Sequence, residues 1–174
     1  MYRWSIPPMP VAEAKKQPDS HEIFSSAQIP GEILDLLVVN SKTLQAHPEL
    51  GKALTGAWYE TLNAIKPNGP DAIKARTFMG KEAGTDLQGF DQQRAATYLF
   101  ATPQQTLAFV GSPQLKTTMQ SVAEFSFKHG LLGQGAANAE TVGITTPAGN
   151  WGNPANQKLR FSDEFVKLAA ANKL

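Results

Sequence analysis

Ile33-Leu34-Asp35-Leu36-Leu37-Val38-Val39 carries one charge and closes on two β-branched residues. A short, nearly continuous apolar run of this kind predicts a strand buried on both faces, as in a parallel sheet covered by helices. Upstream, Tyr2-Arg3-Trp4-Ser5-Ile6 alternates as a strand does, and Pro7-Pro8-Met9-Pro10 ends it. Val11 to Gln17 is expected to form a short helix, stopped at Pro18-Asp19, and His21-Glu22-Ile23-Phe24-Ser25 a second short strand. The loop Ser26-Ala27-Gln28-Ile29-Pro30-Gly31 ends in a Pro-Gly pair that favours a tight turn before the apolar run.

Downstream the signals are helical. Ser41 is placed to cap a helix through Ala46, and Pro48 stands where an N1 proline opens the next. Leu50, Leu54, Trp58, Leu62 and Ile65 then recur at helical spacing as one apolar stripe. Lys66-Pro67-Asn68-Gly69-Pro70 breaks that helix, Asp71 to Ala83 forms another, and Gly84 closes it. A helical stretch covers Leu87 to Ala96, and Thr102-Pro103 and Ser112-Pro113 each pair a cap with an N1 proline, the second helix ending at Gly130. Leu131 to Asn156 is expected to be a long ordered loop with at most a hairpin around Pro147-Ala148-Gly149-Asn150, and long loops are often functional. Ser162 caps a last helix, Asp163 to Ala171. The sum is α/β with a small sheet, its strands early in the chain.

Sixteen Lys and Arg against fifteen Asp and Glu leave a net charge of +1, dispersed along 174 residues. With no basic stripe, nucleic acid is excluded as a partner, and a polybasic membrane anchor with it. No apolar stretch approaches the roughly 18 residues that span a bilayer. Cysteine is absent, which excludes disulfides, thiolate zinc sites and cysteine nucleophiles. The start, Met1-Tyr2-Arg3-Trp4, lacks a charged segment followed by an apolar one, so no export signal is expected in this chain.

Little here speaks for catalysis. His21, His47 and His129 lie far apart, and His47 before a proline and His129 before a glycine suit helix ends. Glu32 and Asp35, three apart in an extended segment, point to opposite faces, so at most one faces any given cleft and a paired-carboxylate mechanism is disfavoured. Gly133-Gln134-Gly135-Ala136-Ala137-Asn138 copies part of a dinucleotide fingerprint but follows a helix and lacks the third glycine. Trp58, Phe125 and Phe127 fall on or beside helical stripes and are expected in the core. Trp4 and Ser25 to Gln28 sit at strand ends, where open α/β sheets bind ligands.

Three stretches, residues 24–39 with Phe24-Ser25-Ser26-Ala27-Gln28-Ile29-Pro30-Gly31-Glu32 at their head, His47-Pro48-Glu49-Leu50-Gly51-Lys52-Ala53-Leu54, and Ala57-Trp58-Tyr59, together resemble the periplasmic solute-binding proteins of ABC importers, in the branch for nitrate, sulfonate, taurine and bicarbonate that includes urea-binding members. Thr97 to Pro103, Phe125-Ser126-Phe127-Lys128-His129-Gly130-Leu131-Leu132-Gly133 and Lys158-Leu159-Arg160-Phe161-Ser162-Asp163 are similar to later parts of the same branch. The resemblance implies the C-terminal portion of a two-lobed, type II periplasmic-binding-protein fold, a small sheet flanked by helices. Residues 1–24 would be a remnant of the second lobe, 25–39 the crossover, and 40–174 the C-terminal half of the first lobe with a C-terminal helical region.

The family works in the periplasm, so a fragment or an internal start is expected. It further implies a small polar or anionic solute between lobes, ABC permease subunits as partners, no enzymatic activity, no cofactor and no metal. Trp4, Ser25, Ser26 and Gln28 would face the ligand, with Glu32 added if the solute donates hydrogen bonds, as urea does. A standalone interaction domain that dimerises through an exposed apolar face is the alternative. Thiamine-pyrimidine synthases are similar in fold to the family, but they use a Cys-rich motif and an active-site His, and this chain has no Cys.

Overall fold

A computed structural model describes residues 18–29 and 33–174. Within them seven α-helices and three short strands follow one another: α1 (Ser41–Ala46), α2 (Pro48–Ile65), α3 (Pro70–Glu82), α4 (Leu87–Ala96), α5 (Pro103–Val110), α6 (Pro113–Lys128), β1 (Gly143–Thr146), β2 (Gly149–Trp151), β3 (Gln157–Arg160) and α7 (Glu164–Ala170). The architecture is mixed α/β, a small sheet flanked by helices.

The helix starts follow from local chemistry. Asn40, one residue before the expected Ser41, caps α1 by accepting from the backbone N–H groups of Lys42 and Thr43 at 3.0 and 3.3 Å. Prolines open α2, α3, α5 and α6, where a missing N–H costs nothing. Thr102 and Gln105 form a reciprocal capping box at α5, and Ser112 Oγ accepts from Leu115 N at 3.3 Å at α6. Gly84 takes the left-handed conformation, φ +75°, just past α3, which a side chain would resist.

Helix α2 is the hub: α1, α3 and α7 pack against it. The stripe it buries keeps the expected Leu62 and Ile65, with Leu50 and Leu54 half-buried, but Tyr59 takes the place of its neighbour Trp58, which is 47% exposed. Tyr59 has a reason to be the buried aromatic, since its hydroxyl meets Thr106 Oγ1 of α5 at 2.8 Å and so keeps its polar end paired. Close approach sets the α2–α7 contact: a Cβ at Gly51 would overlap the ring of Phe165, so the helices meet where α2 has no side chain.

The second core lies between α6 and the sheet. Leu115, the most deeply buried large side chain at 1% exposure, joins Thr118 and Ala123 on α6, and β1 buries Ile144 and Thr146. The strand order is β2-β1-β3, with β2 antiparallel and β3 parallel to β1. Ile144 pairs with Trp151 on one side and Leu159 on the other. The hairpin turns through Pro147 and Ala148, and Thr146 Oγ1 donates to Gly149 O at 2.8 Å. The outer strand β3 points Lys158 and Arg160 to solvent, which discourages pairing along its edge.

Several expectations are corrected. The sheet is late, at 143–160, inside and just beyond the segment expected to be a loop; the hairpin around Pro147 is the part that was anticipated. His21 to Ser25 is not a strand. The apolar run is not one either: it has no regular structure, and Ile33, Leu37 and Val38 are 66%, 65% and 74% exposed. With no strand paired to it among the described residues, its composition alone does not make it a strand. Phe125 and Phe127, like Trp58, lie largely outside the core. The expected strand Tyr2 to Ile6 and helix Val11 to Gln17 lie outside the described residues.

Arg76 of α3 is 3% exposed and links three segments. Its Nη1 donates to Ile65 O at 2.8 Å and Pro67 O at 2.7 Å, and Nη2 to Asn68 Oδ1 at 3.4 Å. Its Nε stands 2.9 Å from Asp91 Oδ1 of α4, an ion pair off the N–H axis and so not an aligned hydrogen bond. The guanidinium thus caps the C-terminus of α2 while holding α4. Arg76→Ala should cost about 2–4 kcal/mol, because it leaves two carbonyls at the end of α2 without their donor and removes one of the two arginines from Asp91, and Arg76→Lys should recover little, an ammonium lacking the planar fork. Urea unfolding reads both; a loss under about 1 kcal/mol for Arg76→Ala would overturn this role.

Candidate functional site

Of the residues assigned to a ligand, Trp4 and Glu32 lie outside the described residues. Ser25, Ser26 and Gln28 are brought together in one turn. Ser26–Gln28 is a single turn of 3-10 helix, with Gln28 N donating to Ser25 O at 3.0 Å and Ile29 N to Ser26 O at 3.1 Å. Gln28 Oε1 in turn accepts from Ser25 N at 3.0 Å. The side-chain amide is therefore oriented by its own backbone, which leaves Nε2 as its outward donor. Ser26 and Gln28 are exposed and Ser25 is half-buried. The turn carries hydroxyls and an amide donor, groups that recognise a neutral or anionic polar solute.

A second polar region went unassigned in the sequence beyond the general signal of a long loop. An open depression of about 480 Å³ is lined by Asn138, Glu140, Thr141, Gly152, Asn153 and neighbouring small residues. Most of its polar atoms build the loop. Thr141 Oγ1 donates to Asn138 O at 2.8 Å and accepts from Asn138 N at 3.4 Å. Asn153 Oδ1 accepts from Ala155 N at 2.9 Å, and Asn156 Nδ2 donates to Thr141 O at 2.8 Å. These bonds fix the approach to β1 and β3. Thr141→Val, which keeps the shape and removes both Oγ1 bonds, should cost about 1 kcal/mol in urea unfolding and speed amide exchange at residues 138–143.

His47 and His129 do sit at helix ends, His47 between α1 and α2 and His129 after α6. The His47 Nδ1 and Glu49 Oε1 atoms are 3.1 Å apart on the surface, and the His129 ring packs on Phe125 with centroids 4.2 Å apart. Among the described residues no group of three His, Asp or Glu side chains could hold a metal ion, and no helix is long and apolar enough to cross a membrane. No family model, curated protein or solved structure matches the chain.

Proposed function

We propose that the chain belongs to the solute-binding subunit of an ABC importer, as the C-terminal part of its first lobe together with the crossover into it. The observation that supports this reading best is the state of Ile33 to Val39, whose composition is that of a strand buried on both faces and which lies largely exposed, only Leu34 and Val39 being half-buried, with no backbone hydrogen bond to a partner strand among the described residues. Such a run suits a sheet supplied by further chain. The Ser25–Gln28 turn stands directly before it in sequence, at the boundary between lobes that the resemblance implies.

In this reading a small polar or anionic solute enters between two lobes. Ser25, Ser26 and Gln28 supply hydroxyl and amide contacts, Trp4 forms a water-excluding wall, and Glu32 accepts hydrogen bonds from a donor such as urea. Contacts completed only when the lobes close shift the population toward the closed form, which is the form a permease would recognise. The chain performs no bond chemistry.

Isothermal titration of the full-length gene product with nitrate, bicarbonate, taurine and urea tests this. One of them should bind, and Ser26→Ala, Gln28→Ala and Trp4→Ala should each weaken binding by about one to two decades, the cost of one lost contact in a desolvated cleft. If no solute binds, or all three variants bind within about twofold of wild type, the assignment fails.

One observation favours a second reading, a domain that works by self-association. Sixteen large apolar side chains among the described residues are well exposed, against seven hydrophobic residues that are buried. Light scattering on the 174-residue chain at about 100 μM should show association, since apolar surface of this extent seldom stays bare. A clean monomer would remove this second reading.

A further inference from the structure

We propose that Asn68-Gly69 is a self-modifying site, at which the fold promotes deamidation of Asn68 and then retains the acidic product. The pair is the chain's one Asn-Gly sequence, in the loop between α2 and α3. In the reaction the Gly69 backbone nitrogen, having lost its proton to water or hydroxide, attacks Asn68 Cγ. The C–N bond to the side-chain amide breaks, ammonia leaves, and a five-membered succinimide remains. Water then opens that ring to aspartate or isoaspartate, so the balance is one water consumed and one ammonia released.

Three features of the loop supply what the first step needs. The nucleophile is unengaged: Gly69 N–H donates to no described residue, although Gly69 O accepts from Ile73 N at 3.0 Å. The space around it is open, since a Cβ built at Gly69 would meet nothing within 4 Å, and both residues are exposed to the water that completes the reaction. The electrophile is polarised: Arg76 Nη2 donates to Asn68 Oδ1 at 3.4 Å, from a guanidinium held in place by Ile65 O and Pro67 O. Attack on Cγ places negative charge on that same Oδ1. A fixed cationic donor aimed at an oxygen that is about to become negative is the arrangement that lowers such barriers, and a contact long at rest tightens as charge develops.

The same groups favour the product. A carboxylate at residue 68 would face the Arg76 guanidinium and lie just ahead of the N-terminus of α3, where negative charge is stabilised. Unlike damage that loosens a fold, deamidation here would replace a neutral contact to the buried arginine with a charged one.

Incubation of the protein at pH 8 and 37 °C, followed by peptide mapping for a mass gain of 1 Da and for isoaspartate, tests the first half. Asn68 should convert faster than every other asparagine of the chain and faster than Asn68 in a synthetic peptide of residues 64–73, and Gly69→Ala should slow it at least tenfold, roughly, by hindering ring closure. Gly69 has φ −74° and open space around it, so that variant keeps the fold. An Asn68 that survives in the folded chain while the peptide converts would overturn the proposal. Asn68→Asp tests the second half: its melting temperature should exceed wild type by roughly 2–4 °C, the gain being lost in high salt, and an unchanged or lower value would refute retention of the product.

Discussion

A buried guanidinium demands partners, and at Arg76 that demand, met by hydrogen bonds at Nη1 and Nη2 and by an unaligned ion pair at Nε, organises the packing of α2, α3 and α4. Its side chain reaches back from α3 to the last turn of α2, across the loop, and sideways to Asp91 on α4. Arg94 adds a contact to the same carboxylate at 3.4 Å, so one acidic group serves two arginines. Burying charge is expensive in itself, and the arrangement contributes definition of geometry more than net stability. The angle between α2 and α3 is the one at which carbonyls of residues 65 and 67 converge on one nitrogen.

Hydrophobic burial is divided instead of concentrated. Tyr59, Leu62, Ile65 and Ala72 make one small cluster, and Leu115, Ala123 and Ile144 another. Neither alone is large, and the polar links between helices matter more as a result, the Tyr59–Thr106 bond in particular, because it joins helices whose apolar contacts are few. The surplus of exposed Ile, Leu, Val and aromatic side chains is the complement of that division. A chain with enough apolar residues for a fuller core leaves many of them facing outward, at segment 33–39 above all.

Helix boundaries were legible because they depend on neighbours in sequence. Thr102-Pro103, Ser112-Pro113 and Gly84 encode their ends in a few residues, and the structure has them within a residue or two. Strands depend on partners elsewhere. Ile33 to Val39 has strand composition without a partner, whereas Gly143-Ile144-Thr145-Thr146 has modest composition and becomes the central strand because α6 covers one face and two strands flank it. The same logic displaced Trp58 by Tyr59: periodicity chose the face to within one position, and a hydroxyl partner on α5 decided the rest. Of the candidate site, the clustering of Ser25, Ser26 and Gln28 was implicit in their adjacency, while the way Gln28 is tied to its own backbone depends on a 3-10 turn that no periodicity announces.

The seat of Phe165 over Gly51 also bears on the order in which the chain assembles. This contact and that of α7 with α5 join elements far apart in sequence, whereas α2 with α3 and α3 with α4 are neighbours, and the sheet closes within residues 143–160. Bringing α7 onto α2 closes a loop on the order of a hundred residues, whose entropy cost comes before any reward from the contact. Local units of this kind can form early and independently, and the terminal helix then locks onto a surface already made. The tail of the chain is in that sense a latch whose release precedes the loss of the parts it joins, and substitutions beneath it would alter how fast the structure opens more than how fast it forms.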